Sequence, residues 1–201
     1  MTTLDDRITK THSAPTAADA VMVASPKVMM MPLVTPRLVL RPLELDDADW
    51  IARESGRPEV ARNLALVPEP NPALGVELFI LTARAREANL GDLVRAVCLK
   101  EDHTPIGIVG ANPRGGDAWS FGYWYAPSAW GQGYATEAGQ AMIEALRERG
   151  AKELVAGFFS HNVASAKVLS KLGFERNGRN DPEFCTALLA RQPHVGMSAK
   201  L

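Results

Sequence analysis

Little in this chain points to a metal, a membrane or nucleic acid. Its 201 residues hold only two cysteines, Cys98 and Cys185, far apart and each inside an apolar, strand-like run. That is no disulfide framework; it reads as two buried free thiols in a reducing compartment. The four histidines, His12, His103, His161 and His194, are scattered without ligand spacing, so no metal site is expected. Lysine and arginine number 22 against 23 acidic residues. With no basic stripe, nucleic acid is not an expected partner. The apolar run over 20–34 is broken by Pro26, Lys27 and Pro32 and is too short to span a bilayer. No secretory pattern follows Asp5, Asp6 and Arg7. The expectation is a soluble, cytoplasmic protein with no membrane partner.

What is present is one domain with an appendage. Residues 1–34 lack a clear period and read as a flexible N-terminal arm. The alternative is an arm whose Val28-Met29-Met30-Met31 patch packs on a neighbouring subunit, which would make a homodimer. Residues 35–192 carry the fold, and 193–201 read as a C-terminal tail. Residues 37–43 alternate charged and aliphatic side chains and predict a strand. Asp46 and Asp47 start a short helix with Trp50 and Ile51, and 58–67 can hold another. Leu74, Leu78, Leu81 and Ala85 recur at helical spacing over 73–88. Strands follow at 93–99, 105–111 and 118–125, joined by turns at Asp102-His103-Thr104 and at 112–117, an antiparallel meander. Helices at 134–149 and 162–172 are each closed by a glycine, Gly150 and Gly173, with a strand at 154–159 between them. Two last strands are expected at 174–178 and 186–190. The class is α/β (α+β): a mixed, mostly antiparallel sheet of about six to seven strands with helices on both faces.

The most informative stretch runs Phe121-Gly-Tyr-Trp-Tyr-Ala-Pro-Ser-Ala-Trp-Gly-Gln-Gly-Tyr-Ala-Thr-Glu137. An aromatic strand leads through a proline and a glycine-broken turn into a helix. Gly131 and Gly133 let the backbone approach a ligand closely, and the N–H groups of Gly131, Gln132, Gly133, Tyr134 and Ala135 stand at a helix start. Such a row of unpaired donors, aided by the helix dipole, traps anions and suits the diphosphate of a coenzyme. Thr136 can add a hydroxyl. The alternative is a plain glycine-rich turn with no ligand. No Gly-Lys-Ser/Thr end is present, which excludes a P-loop. A dinucleotide fingerprint also fails, because no third glycine is in register and the preceding strands are antiparallel.

Tyr123-Trp-Tyr-Ala-Pro127 with Trp130-Gly-Gln-Gly-Tyr-Ala-Thr-Glu-Ala138 resembles the acetyl-CoA motif of GNAT N-acetyltransferases. The RimJ/RimL-like branch, which acetylates ribosomal-protein N-termini, is the nearer likeness. Thr35-Pro-Arg-Leu-Val-Leu-Arg-Pro42 resembles that branch's opening strand. Asn162-Val-Ala-Ser165, continuing through Lys171-Leu-Gly-Phe174, resembles its coenzyme-side helix. The resemblance implies a single GNAT-like domain with a centrally splayed sheet, binding acetyl-CoA as co-substrate without a metal. It implies an enzyme moving acetyl to a primary amine, either a peptide N-terminus or a small amine, in a ternary complex. It implies coenzyme contacts at Trp124, Tyr125, Ala126, Gly131, Gln132, Gly133, Tyr134, Ala135, Thr136, Asn162 and Ser165. A backbone N–H near Tyr125 would meet the thioester carbonyl.

Two positions depart from the family pattern: Ser120 stands near the usual glutamate and Leu169 at the usual tyrosine. Those departures leave open a non-catalytic acyl-CoA-binding protein of the same fold, and more weakly an antibiotic-modifying enzyme. The catalytic candidates are Tyr125, Ser120, His161 and Glu137. Glu137 either faces the substrate amine or only compensates the helix dipole. Asn162 either bonds the pantetheine arm or caps its helix. Ser165 and Lys167 either assist the coenzyme or form a solvated helix face. His161 either accepts a proton or caps the helix as a loop histidine, with Ser160 and Ser120 able to hold a relay water.

Overall fold

The computed structural model describes residues 31–201. Residues 1–30, with most of the expected arm including Val28, Met29 and Met30, lie outside the described residues. The short strand β1 (Leu33–Val34) pairs antiparallel with β2 (Leu38–Pro42), so the fold begins before Thr35. A 3-10 turn at Leu45–Asp47 leads into α1 (Ala48–Ser55), followed by α2 (Pro58–Ala61) and α3 (Ala73–Leu90). The meander β3 (Leu93–Leu99), β4 (Pro105–Pro113) and β5 (Ala118–Tyr125) runs antiparallel as its turn residues predict. Then come α4 (Tyr134–Glu148), β6 (Glu153–Phe159) and α5 (Val163–Lys171). The chain ends through β7 (Glu175–Arg176), the hairpin β8 (Glu183–Cys185) and β9 (Ala190–Gln192), and β10 (His194–Lys200).

The main sheet has eight strands in the order β1-β2-β3-β4-β5-β6-β10-β7. Only the β5–β6 pair is parallel, as a strand–helix–strand crossover demands. The sheet is larger than the six to seven strands expected: β1 at one edge and β10 in the C-terminal segment were not expected. Residues 193–201 are no tail: β10 pairs with β6 through seven registered residues, and Met197 and Ala199 are buried. The glycine at 196 and the short length of the segment hide its alternation. The strand expected over 186–190 is instead largely the turn of the β8–β9 hairpin, with Leu189 at φ 48°.

Two cores flank the sheet. One packs α4 and α5 through Met142, Leu146 and Leu169 onto Leu38, Leu40, Phe121, Leu154 and Met197. The other packs α1 and α3 onto Val94, Ala96, Cys98 and Ile108. The face of α3 that meets the sheet is not the leucine row. Leu74, Leu78 and Leu81 are 68%, 58% and 50% exposed, while Val76, Ile80 and Ala83 are buried. Spaced four and three apart, these buried residues lead on to Glu87, whose carboxylate takes both terminal nitrogens of buried Arg95 at 2.9 and 2.6 Å. The inner face thus ends on an ion pair, which disguises it in the sequence. Asp47 does not merely favour a helix start: it is buried and receives Arg41 through two bonds of 2.8 and 2.7 Å.

Trp50 stacks on Trp124, with ring centroids 5.4 Å apart, and clamps α1 to β5. The β8–β9 hairpin is fastened to the loop after α2. Thr186 donates from N and Oγ1 to the Ala65 carbonyl (3.0 and 2.8 Å), and the Cys185 sulfur lies 3.7 Å from the carbonyl oxygens of Arg62 and Leu64. Because β10 is a structural strand, Met197→Ala should cost about 2–5 kcal/mol in urea unfolding. Deletion of 193–201 should abolish the cooperative transition followed by circular dichroism.

Candidate functional site

The site begins where a pairing stops. β5 and β6 are joined only through Ala118–Glu153, Trp119–Leu154 and Ser120–Val155. Beyond Ser120 and Val155 the strands run on without each other, to Tyr125 and Phe159. A cleft of about 740 Å³ opens there, lined by 121–125, 156–158, the turn at 129–136 and the first residues of α5. Strand groups left unpaired along such a gap must be satisfied by water or by a ligand lying between them.

Gly131 and Gly133 sit at φ 76° and 82°, where a side chain is strained. The turn they permit leaves the N–H groups of Gly131, Gln132, Gly133, Tyr134 and Ala135 without partners among the described residues, whereas Thr136 and Glu137 both donate to the Gly133 carbonyl. Five free donors at the start of a fifteen-residue helix form an anion seat. The Trp130 indole N–H donates to the Tyr125 carbonyl at 2.8 Å and ties the turn to the strand.

Arg37, on the far side of the turn, fixes its shape. It donates from Nη1 to the Gln132 carbonyl at 3.0 Å, lies 4.5 Å from the Tyr134 ring centre, and donates from Nε to Glu137 at 2.7 Å. The other Glu137 oxygen accepts from Thr35 Oγ1 at 2.6 Å and from the Arg37 N–H at 3.0 Å. These donors hold the Glu137 carboxyl below its usual range despite partial desolvation, which acts the other way. Glu137 therefore does not face the cleft as a catalytic acid; it is the anchor between the β1–β2 corner and α4. Nothing in the spacing of Thr35, Arg37 and Glu137, 100 residues apart, announces this triad.

The remaining expected residues divide. Gly131, Gly133, Tyr134, Ala135, Thr136, Trp124, Tyr125, Asn162, Ser165 and His161 all line the cleft. Gln132 is exposed and outside the cleft lining, and its carbonyl is held by Arg37. Ala126 is buried and its N–H donates to Ile106 at 2.9 Å, so it has no donor to offer a coenzyme. Asn162 caps α5, accepting from the Ser165 N–H at 3.1 Å, and its amide nitrogen has no partner among the described residues. Ser165 is not a solvated face residue: its hydroxyl meets that of Tyr123 at 3.0 Å. Burial pushes Tyr123 up to about 12. Tyr125 is buried, its hydroxyl has no partner among the described residues, and desolvation raises its pKa further. Ser120 lies outside the cleft and donates to the Asn112 carbonyl at 3.2 Å. His161 is exposed and stacks 5.9 Å from Phe159. Leu169, at the position expected for an acid, is buried against the same core as α4.

Five free donors, two open glycines and an unsatisfied buried hydroxyl fit a coenzyme with a diphosphate and a long amide-bearing arm. When bound, such a coenzyme supplies an activated acyl group; the chain supplies the seat. Among the described residues no helix is long and apolar enough to cross a membrane.

Residues 37–175 match the family model described as an acetyltransferase (GNAT) domain. An uncharacterized N-acetyltransferase p20 from Bacillus licheniformis is 28% identical over 154 residues, covering 74% of this chain and 85% of that protein. The crystal structure of the ribosomal-protein-S5-alanine acetyltransferase from Vibrio fischeri superposes with a TM-score of 0.72 at 21% identity, over 85% of this chain and 96% of that one. Mycobacterium smegmatis RimJ in complex with CoA-disulfide gives 0.71 at 19% identity, over 85% and 90%.

Arg37→Ala keeps the five donors but unties the turn, so calorimetry should show coenzyme A binding about 5- to 30-fold weaker, the equivalent of about 1–2 kcal/mol. The depressed Glu137 value also sets a pH signature. Its contribution to stability is complete above the unfolded value of 4.5 and is lost as pH falls through the lower folded value. The urea-stability gap between the wild type and Glu137→Gln should be constant near neutrality and shrink below about pH 4.

Proposed function

The chain belongs to the GNAT acetyltransferase family, and from that premise we propose that it transfers the acetyl group of acetyl-CoA to a primary α-amine, or an amine of similarly low pKa, in a ternary complex. The observation that carries the reading is the row of free N–H groups from Gly131 to Ala135 beside the parted strands. That row would hold the diphosphate, and the unpaired edges of β5 and β6 would hold the pantetheine arm as an added strand. The thioester carbonyl then lies against β5, where a backbone N–H near Tyr125 stabilises the oxyanion. Both cysteines are buried free thiols away from the cleft lining, which supports direct attack by the amine over an acyl-enzyme.

The acceptor class follows from the cost of baring the nucleophile. At pH 7 a lysine of pKa ~10.4 costs ~4.6 kcal/mol to deprotonate, an α-amine of pKa ~7.9 only ~1.2 kcal/mol. Glu137 is committed to Arg37, and the carboxylate that lines the cleft, Glu59, is half-exposed and lies 4.0 Å from Arg57, so among the described residues no buried carboxylate base faces the cleft to strip a lysine. Similarity to a ribosomal-protein-alanine acetyltransferase favours a peptide N-terminus as that α-amine. The chain would work free in the cytoplasm.

The test is thiol release from acetyl-CoA across an amine panel, paired with calorimetry. Peptide N-termini should outpace lysine side chains by up to ~300-fold at pH 7, the ~3.4 kcal/mol difference above. Faster lysine acetylation removes the α-amine assignment. Coenzyme binding without thiol release for any amine would show a binding protein instead, and absence of binding would remove the reading altogether.

A further inference from the structure

The outer face of α3 carries the row Leu74, Leu78, Leu81 and Ala85, all four exposed. On the helix this row lies opposite Val76, Ile80 and Ala83, which meet the sheet. α3 is therefore apolar on both faces, and a helix apolar all round belongs in an interior. Single exposed leucines need no explanation. Here they form one unbroken row, ~16 Å long at 1.5 Å per residue. Its steps of four, three and four are those of a seam between two helices.

The row has a symmetry that selects its partner. Its midpoint falls between Phe79 and Ile80. When a second copy is turned end for end about that point, Leu74 meets the partner's Ala85 and Leu78 meets the partner's Leu81. Each of these layers occurs twice, so every side chain of the row is covered by an apolar one. The flanks obey the same axis. On one side stand Glu77 and Arg84, exposed and without an ion-pair partner among the described residues. Their neighbours Arg86 and Glu87 are already held by Asp92 and Arg95. Glu77 and Arg84 are seven residues apart, ~10.5 Å along their own helix, but in the antiparallel pair Glu77 comes beside the partner's Arg84, at both ends of the seam. On the other side stand Gly75 and Thr82, small enough to let two helices close up. A methyl group at Gly75 would meet only Pro72, at 3.7 Å, so nothing within the chain calls for a bare Cα there.

We propose that α3 is the interface of a homodimer, two copies packed antiparallel about a twofold axis through the midpoint of this row. The inference does not depend on the acetyl-transfer reading. The charges argue against other occupants. A flank of one acid and one base offers no net attraction to an anionic membrane. The apolar patch Val28-Met29-Met30-Met31 carries no charge to meet either residue. A second copy satisfies both charges with the same surface that covers the leucines, as an isologous contact must. No residue of α3 lines the cleft, so the seam takes nothing from that site. It is short beside a typical interface of about 1,600 Å², and a dissociation constant in the micromolar range is expected.

The experiment is sedimentation equilibrium of the full chain across the micromolar range, with circular dichroism for fold. The wild type should show a monomer–dimer equilibrium. Leu78→Glu places a charge in both central layers and should raise the dissociation constant about 100-fold or more, with an unchanged spectrum because the side chain is exposed in the monomer. Glu77→Arg and Arg84→Glu should each weaken the dimer about 2- to 30-fold. Combining them restores opposite charges across the seam and should return the wild-type value. A parallel pair would set Glu77 beside Thr82 and show neither effect. A wild type that stays monomeric, a dimer that survives Leu78→Glu, single reversals without effect, or a double reversal no tighter than the single ones overturns the proposal. So does a dimer that is lost when residues 1–30 are deleted but kept in Leu78→Glu, which would move the interface to the N-terminal segment. A monomeric wild type that sediments with phosphatidylglycerol vesicles, and no longer does so as Leu78→Glu, would assign the row to a membrane surface instead.

Discussion

Everything functional here descends from a pairing that ends after three residues. A parallel strand pair normally satisfies its main-chain groups along its whole length. β5 and β6 do so only at 118–120 with 153–155, then each is held by its other neighbour, β4 or β10. Both strands are rigid on their outer sides and unsatisfied on their inner sides. A cleft made this way needs no flexible loop to exist, and its walls supply donors and acceptors at strand spacing. The glycine-broken turn sits at the mouth of the same gap, so the anion seat and the strand edges form one continuous surface.

The seat itself depends on a residue from the far end of the sheet. Arg37 grips the Gln132 carbonyl, covers Tyr134 and pairs with Glu137. By drawing the carbonyl outward it leaves the N–H groups facing the cleft. The pair is half exposed on the arginine side, so its charge attraction is modest. Its geometric effect is larger, because one bond from this corner holds the Gln132 carbonyl of the turn and three more hold Glu137 in the first turn of α4.

Much of this was legible because it is local. The aromatic strand, the proline, the two glycines and the following helix specify the turn within 17 residues, and the turn chemistry at 102–104 and 112–117 fixes the meander. Helix ends at Gly150 and Gly173 follow from left-handed caps observed at φ 82° and 86°. The failures are non-local. Leu74, Leu78 and Leu81 offered a convincing stripe, yet the sheet selected Val76, Ile80 and Ala83 because Glu87 on that same face finds Arg95. β10 was missed because its registered partners on β7 and β6 sit 21 to 47 residues earlier and its own alternation is broken by glycine. Glu137 looked available until Thr35 and Arg37 arrived from 100 residues away.

The clasp between the β8–β9 hairpin and the loop at 61–65 has a further consequence. Thr186 and Cys185 fasten to carbonyls of that loop across more than 120 residues of sequence, and Asn63 and Ala65 border the cleft. Two segments that are remote in the gene thus form one jaw. Because the loop's half of the clasp is main-chain carbonyls, side-chain changes over 62–65 leave its acceptors in place, whereas replacing Cys185 or Thr186 removes the side-chain donors; the loop is the half free to vary.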